Sequence, residues 1–441
     1  MRLKFINIGI IKEANILIDG LTVLAGVNDT GKSTVGRLLY SLIKVSNNYK
    51  QVLKVNQSQQ LQVIVNKLAD EAKEYFYQTY DRKDPILREE LSHINMVSEG
   101  FLETLLEDSL IFNDYEWIIN LVKEFAKRIS FHAKDTELNH YAIQIKKVIE
   151  LDENSPEVKK AAFDLMIREE FINQISFVNS NLPSRIEFTD NGNTLIDIEI
   201  VDDATTGIKN LKSTFISDIT YIESPLQLRE NGWKDKTGNG RVYLKSHVND
   251  LADKLSESDS GTENIIQEIE RSEKINKFEK IITDIIGGDI NYKAGKRNFI
   301  FSKNGNEIRL TNTATGIRVF AMLKLLLGSG NLRKNSILII DEPEVHLHPQ
   351  WQMDYAELIV RMVNELGIKV LINSHSPYMI EAFKVYSEHY GISEATNFYS
   401  MIKSKDFTKV KLVNDSLGKI FTELSDPFKK LDSIEVGDID K

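Results

Sequence analysis

The run Gly26-Val27-Asn28-Asp29-Thr30-Gly31-Lys32-Ser33 sets glycines around a short polar stretch and closes on a lysine and a hydroxyl. A backbone that curls around an anion needs that composition. The glycines admit the turn, and successive N–H groups then point at phosphate oxygens. Lys32 supplies a point charge for the β- and γ-phosphates, and the Ser33 hydroxyl is a ligand for Mg2+. A second segment, Ile337-Leu338-Ile339-Ile340-Asp341-Glu342-Pro343, is an apolar run that ends in two carboxylates. Asp341 suits a Mg2+ shell, and Glu342 can orient and polarise an attacking water. A third, Leu371-Ile372-Asn373-Ser374-His375-Ser376-Pro377, delivers His375 to the end of an apolar run, where an imidazole can contact a γ-phosphate or hold that water.

Each of these needs an element to carry it. Leu21 to Ala25 reads as a buried strand running into Gly26, after the short strands Leu3 to Ile8 and Asn15 to Ile18. Ser33 to Val45 has apolar residues at helical spacing (Val35, Leu38, Leu39, Leu42, Ile43), so the loop lies between a strand and a helix. The helix N-terminus adds its positive end to the same anion. Towards the C-terminus the order is helix (Gly316 to Leu327), strand (Ser336 to Ile340), helix (Gln350 to Leu366), strand (Ile368 to Ile372), helix (Pro377 to Phe383). That alternation implies a parallel sheet with packed helices. Ser376-Pro377 reads as a helix cap followed by proline at the first helical position.

Between these regions, residues 46–184 carry long polar helical patterns, such as Gln59 to Tyr80 and Ile118 to Phe131, with few strand signals and no sustained heptad. Strands return at Arg185 to Phe188 and Leu195 to Val201 around the turn Asn191-Gly192, and again at Ile219 to Ile222. Helices are expected at His247 to Leu255 and Thr262 to Ile286, the latter closed by Gly287-Gly288. An antiparallel meander over Asp289 to Leu310 turns at Asn304-Gly305, and the last sixty or so residues hold one hairpin and a short helix.

Composition narrows the classes. The formal net charge is -10, so no overall field draws the chain to nucleic acid, and the absence of cysteine excludes disulfides and thiolate metal sites. No apolar run is long enough for a membrane span and no export signal is evident, so a soluble, cytoplasmic protein is expected. His346 and His348, spaced as on a strand and with no third ligand evident, do not read as a metal site.

The run Asp341-Glu342-Pro343-Glu344-Val345-His346-Leu347-His348-Pro349, with Asn373-Ser374-His375-Ser376-Pro377 after it, resembles the ABC-type ATPase heads. Within them it is similar to the stand-alone bacterial subfamily related to the overcoming-lysogenisation-defect (OLD-like) proteins, which is rich in anti-phage defence components. The resemblance covers residues 1–45 and about 285–385. It implies an α/β P-loop ATPase head, a mixed sheet with an antiparallel subdomain, divided into residues 1–45 and 185–441 by a large helical insertion over 46–184. It implies ATP and Mg2+, with Asn28, Asp29, Thr30, Gly31, Lys32, Ser33 and Thr34 around the nucleotide, Ser33 and Asp341 on the metal, and Glu342 and His375 in catalysis.

It also implies a head-to-tail pair, each nucleotide lying between the loop of one copy and a signature loop of a second copy. The matching segment here is Asn312-Thr313-Ala314-Thr315-Gly316-Ile317, which departs from the family's leucine-serine-glycine-glycine pattern. Alanine falls where serine is expected and a hydroxyl follows at Thr315, so Thr315 and Gly316 are the trans nucleotide contacts. Gln227 is a further candidate for the water and Mg2+. The expected function is an ATP-hydrolysing sensor or scaffold that controls a separately encoded effector, such as a nuclease, because the stretch after Phe383 is too short for a nuclease domain. The alternatives are a DNA-repair or recombination ATPase that clamps DNA, and an ATP-bound scaffold with negligible turnover.

Overall fold

The computed structural model describes residues 1–81, 83–108, 114–131, 133–177, 182–224, 244–256, 265–293, 298–418 and 420–422. Strands β1 (Arg2–Ile8), β2 (Ile11–Leu17) and β3 (Leu21–Ala25) lead into α1 (Lys32–Thr79). Helices α2 (Pro85–Asp108), α3 (Tyr115–Arg128), α4 (Asp135–Ile149) and α5 (Pro156–Phe171) follow. Then come β4 (Ser184–Asp190), β5 (Asn193–Val201), β6 (Ala204–Leu211), β7 (Ile219–Ile222), α6 (His247–Ser256) and α7 (Ile265–Ile286). The rest is β8 (Asp289–Lys293), β9 (Asn298–Lys303), β10 (Asn306–Arg309), α8 (Thr315–Gly328), β11 (Ile337–Asp341), α9 (Pro349–Leu366), β12 (Lys369–Ser374), α10 (Pro377–His389), β13 (Thr396–Lys403) and β14 (Thr408–Leu412). Gln227 and residues 262–264 lie outside the described residues, as do residues 294–297 within the expected meander.

The chain divides into two compact units, one formed by residues 1–48 and 163–441 and the other by residues 49–162. In the first, eleven strands form one sheet in the order β6-β5-β4-β1-β2-β14-β13-β3-β12-β11-β7. The end carrying β3, β12, β11, β7 and β13 is parallel, apart from the β13–β14 hairpin, whereas β4, β5, β6 and the β1–β2 hairpin are antiparallel. Every residue of β3, β7 and β11 is buried, as strands covered on both faces require. Side chains of α7, α8, α9 and α10 join those strands in one apolar core that includes Phe278, Phe320, Tyr355 and Phe383. This is an α/β architecture, one large mixed sheet packed by helices. Strands β8, β9 and β10 form a separate three-stranded sheet.

The second unit is helical. Leu61, Val65, Leu68, Phe76, Ile94, Phe101, Phe125 and Ile145 lie in its own buried cluster, with the Phe101 and Phe125 rings stacked 4.1 Å apart.

Two elements differ from the expectation. The helix after the phosphate loop does not stop near Val45; it runs to Thr79 and takes in the stretch read at Gln59 to Tyr80. Ser46-Asn47-Asn48 looks like a breaker but is satisfied within a helix: Ser46 Oγ and Asn48 Nδ2 donate to the Ile43 and Lys44 carbonyls, and Asn47 Nδ2 donates to the Ile216 carbonyl. The second is β6, which pairs with β5 around Asp202 and Asp203, both at positive φ (50° and 62°). A two-residue hairpin turn of this kind usually announces itself with glycine, and here it does not.

Candidate functional site

Parallel pairing builds the site at one edge of the sheet. Ala25 of β3 is opposite Ser374 of β12, and Asn373 is opposite Asp341 of β11. The phosphate-binding loop, the Asp341-Glu342 pair and the His375 turn therefore leave neighbouring strands at their C-terminal ends, the usual ligand side of an open α/β sheet.

The loop is held by its own groups. Lys32 is 5% exposed and its Nζ donates to the Gly26 and Val27 carbonyls at 2.9 and 3.0 Å, while Thr30 Oγ1 donates to the Val27 carbonyl at 2.9 Å. Gly31 has φ +86°, and a Cβ there would meet Ile11 Cγ1 at 3.0 Å, so both conformation and space require glycine. Asn28 and Asp29 are exposed at the rim, and Asp29, itself at φ 60°, pairs with Lys403. The Thr34 side chain packs against Gly9.

Asp341 ends β11 and is 7% exposed. Burial pushes its carboxyl above the ordinary aspartate value, and the polar groups of Ser33, Asn373 and Tyr221, of which Tyr221 is the one in hydrogen-bonding geometry, draw it back. Tyr221 OH donates to Asp341 Oδ2 at 2.9 Å, whereas Oδ1 is buried with no hydrogen-bond partner, as are both polar side-chain atoms of Asn373. Buried polar atoms are rarely orphaned in a folded chain. The orphaned carboxylate oxygen of Asp341, a residue close to the Ser33 hydroxyl, contributes to an oxygen-donor set that suits a hard cation such as Mg2+.

Glu342 is different although it is the next residue. Its backbone is left-handed (φ 43°, ψ 53°), which turns its side chain to a half-open position. Oε1 stands 3.7 Å from Lys32 Nζ and 3.7 Å from His375 Nδ1. His375 above all, then Lys32, holds the Glu342 carboxyl below the ordinary glutamate range despite partial burial. Reciprocally, Glu342 and then Glu344 raise the His375 imidazole above the ordinary histidine value.

The residue that orders the histidine turn is one to which sequence reasoning assigned no role. Glu344 is 5% exposed, and its Oε1 accepts from Ser374 Oγ (2.8 Å), His375 N (2.6 Å) and Ser376 N (3.2 Å). Ser376 caps α10 by accepting from Met379 N and also donates its hydroxyl to Gln352 Oε1 at 2.6 Å. Gln352 Nε2 in turn donates to the Leu347 carbonyl. The available signal was a second acid two residues beyond Glu342, in a segment too short to be a solvated helix face.

Thr315 and Gly316 open α8, and no hydrogen bond or ion pair joins them to residues 26–33 among the described residues. The N-cap residue Ala314 offers no side-chain acceptor. A Cβ on Gly316 would lie 2.8 Å from Trp351 Cζ3 and 3.1 Å from the His346 carbonyl, so this glycine is needed for close packing inside its own chain. His348 caps α9, its ring nitrogen accepting from Gln350 N.

A family model described as an AAA ATPase domain matches residues 1–380. Among solved structures, the chain is similar to an SmcHead bound to the C-winged helix domain of ScpA, with 10% identity, a TM-score of 0.42, and 95% of this chain and 98% of that chain covered. It is also similar to the SMC head domain from Thermotoga maritima (10% identity, TM-score 0.38, 93% and 98% covered). A third is the Smc head domain with a coiled coil and joint from Pyrococcus yayanosii (12% identity, TM-score 0.36, 97% and 99% covered). No helix among the described residues is long and apolar enough to cross a membrane.

Proposed function

The chain belongs to the AAA ATPase domain family, an ATP-binding ATPase, and on that premise we propose that residues 26–33, Asp341, Glu342 and His375 form its hydrolytic site, completed by a second copy of the chain. The observation that carries this reading is the convergence of Lys32, Glu342 and His375, with Glu342 Oε1 3.7 Å from each of the other two. A carboxylate held ionised beside the phosphate-binding lysine can orient a water and accept its proton. Lys32 neutralises β- and γ-phosphate charge, and the start of α1 adds its N–H groups. Ser33 and Asp341 would hold Mg2+, which when bound neutralises charge on the phosphate oxygens. His375, its imidazole biased towards the charged form, contacts the γ-phosphate or fixes the water.

Dimerisation is part of the proposal. The uncapped start of α8, with Thr315 and Gly316, is an anion-binding helix terminus that its own loop does not use. ATP would draw the loop of one copy onto this terminus of the other, and hydrolysis would release it. We place the resulting cycle in control of a separately encoded effector, such as a nuclease, in anti-phage defence. That placement is supported by the similarity of Asp341–Pro349 to the OLD-like segment.

The decisive experiment compares wild type with Glu342→Gln in ATPase and in binding of a non-hydrolysable ATP analogue. The expected outcome is a fall in kcat of roughly 10²–10⁴-fold, with analogue binding and analogue-induced dimerisation preserved. Equal turnover in the two proteins would refute the assignment of Glu342. A monomer at saturating analogue, measured by light scattering, would refute the paired site. Protection against phage that survives Lys32→Ala would refute an ATP-driven role in defence.

A further inference from the structure

Tyr221 lies on β7, one strand beyond β11, and its side chain is fully buried. Its hydroxyl donates to Asp341 Oδ2 at 2.9 Å. The ring is held by two neighbours. It stacks on His247, with centroids 4.6 Å apart and planes inclined at 28°. Its hydroxyl end lies close to Gly36 of α1, where a Cβ would lie 3.2 Å from the Tyr221 hydroxyl, a tight contact that glycine avoids.

His247 is in turn clamped. Its Nδ1 is 2.8 Å from Glu170 Oε2, its backbone N–H donates to Glu170 Oε1 at 2.5 Å, and its Nε2 is 3.2 Å from Glu223 Oε2. Arg37 pairs with the other oxygen of Glu223, and Tyr40 meets the imidazole edge-on at 6.1 Å. His247 and Glu170 are buried, and desolvation offsets much of the attraction in such a pair, so net stabilisation alone is a weak reason for keeping the cluster.

Asp341 has two oxygens and only one is satisfied. If the carboxylate were free to rotate, either could face the phosphate loop. We propose that Tyr221 is a positioning residue for the ATPase reaction: it pins Asp341 Oδ2 so that the unpartnered Oδ1 is the atom offered to the divalent cation, while His247 and its carboxylates hold the Tyr221 ring. This rests on the reading of Asp341 as a metal-holding group.

The test is cation binding rather than turnover. Tyr221→Phe keeps the ring, its stack on His247 and its contact with Gly36, and removes only the hydroxyl. Mn2+ affinity in the presence of a non-hydrolysable ATP analogue, read by electron paramagnetic resonance, is expected to fall by about 10-fold or more, the usual range for losing a partner that orients a metal ligand. Analogue affinity without any divalent cation is expected to stay within about twofold of wild type, a readout that a merely misfolded variant would move; here twofold is the margin for a difference well below 1 kcal/mol. His247→Gln, which leaves the hydroxyl in place but releases the clamp, is expected to weaken Mn2+ by a smaller factor.

Asp341→Asn separates the two levels. If Asp341→Asn abolishes cation-dependent binding and Tyr221→Phe leaves it at the wild-type level, the positioning role is overturned and the metal reading stands. If Asp341→Asn also leaves it unchanged, the metal reading itself fails.

Discussion

Replacing Glu344 by alanine should disorganise the His375 turn more than any other single change near the site. Three donors converge on one buried carboxylate oxygen, namely Ser374 Oγ, His375 N and Ser376 N. Each buried donor left without a partner costs about 1–3 kcal/mol, but the three are not equivalent. The Ser374 hydroxyl can rotate, Ser376 N has a second acceptor in Ser374 Oγ at 3.1 Å, and His375 N is only partly buried. Removing a buried charge returns some free energy as well. The low end of each range is therefore appropriate, and the sum is a loss of about 3 kcal/mol. Glu344→Gln retains an acceptor oxygen in the same place and loses only the charge assistance, so its cost should be about 1 kcal/mol.

Urea denaturation measures both values. A second readout isolates the site. Glu344 contributes to holding the His375 imidazole above the ordinary histidine value, so the His375 titration followed by NMR should move down in Glu344→Gln. ATPase activity should fall in the order wild type, glutamine, alanine at temperatures where all three are folded. A Glu344→Ala protein within about 0.5 kcal/mol of wild type, the spread expected of an ordinary surface change, with an unmoved His375 titration, would refute this account of the turn.

The His247 cluster predicts a pH dependence of stability. Burial opposes charge on His247, but hydrogen bonds to Glu170 and Glu223 outweigh it and raise the imidazole from 6.5 to about 9, so this stabilisation is complete below 6.5 and is lost as pH rises through about 9. His247, and then Arg37, lowers Glu223 from 4.5 to about 2, so that contribution is present above 4.5 and is lost as pH falls towards 2. Denaturation at a series of pH values should show a loss approaching roughly 3 kcal/mol on the alkaline side, from about 1.4 kcal/mol per unit, and His247→Gln should flatten it; an equal slope in both proteins would count against the clamp. Gly31→Ala adds a Cβ at φ +86° and 3.0 Å from Ile11, so it should destabilise by about 1–3 kcal/mol and abolish nucleotide binding by calorimetry. Gly316→Ala should lower stability by a similar 1–3 kcal/mol in the monomer, before any second copy is involved, because its Cβ would collide with Trp351; unchanged thermal unfolding would show that α8 and α9 can part freely.

What the sequence makes legible follows from how local each signal is. The loop at Gly26–Ser33, the Asp341-Glu342 pair and the cap at Ser376-Pro377 each reside within a few adjacent residues, and helices alternating with strands then force the parallel edge on which the structure sets them side by side. Tyr221 has no such signature. Its partner lies on the neighbouring strand far along the chain, and only the register Ile340↔Ile222 brings them within reach. Glu344 was visible as a residue but not as a clamp, because its three donors belong to the turn after β12. The β5–β6 hairpin was missed because two aspartates occupy the left-handed positions where glycine or asparagine would have been recognised. The length of α1 was missed for a related reason. Ser46-Asn47-Asn48 has the composition of a loop, but Ser46 and Asn48 donate back to carbonyls of their own helix and Asn47 is satisfied by the distant Thr214–Ile216 segment.

The two adjacent carboxylates show how backbone strain and chemistry are connected here. Continued extension of β11 would place Asp341 and Glu342 on opposite faces of the sheet, one of them in the core. Instead Glu342 turns left-handed at φ 43°, a conformation that for a residue with a Cβ costs about 1–2 kcal/mol. Glycine would relieve that strain, and its absence points to the side chain as the reason the strain is kept. The turn leaves Asp341 buried beneath Tyr221, where desolvation raises its carboxyl, and swings Glu342 towards His375 and Lys32, which lower its own. Two neighbours of the same chemistry are thus driven in opposite directions, a separation that suits them to the different roles proposed for each. The group with the orphaned oxygen is suited to a cation, which displaces any proton it holds. The group kept ionised at the open edge is suited to a water. A single left-handed residue at the end of one strand is what separates the two environments.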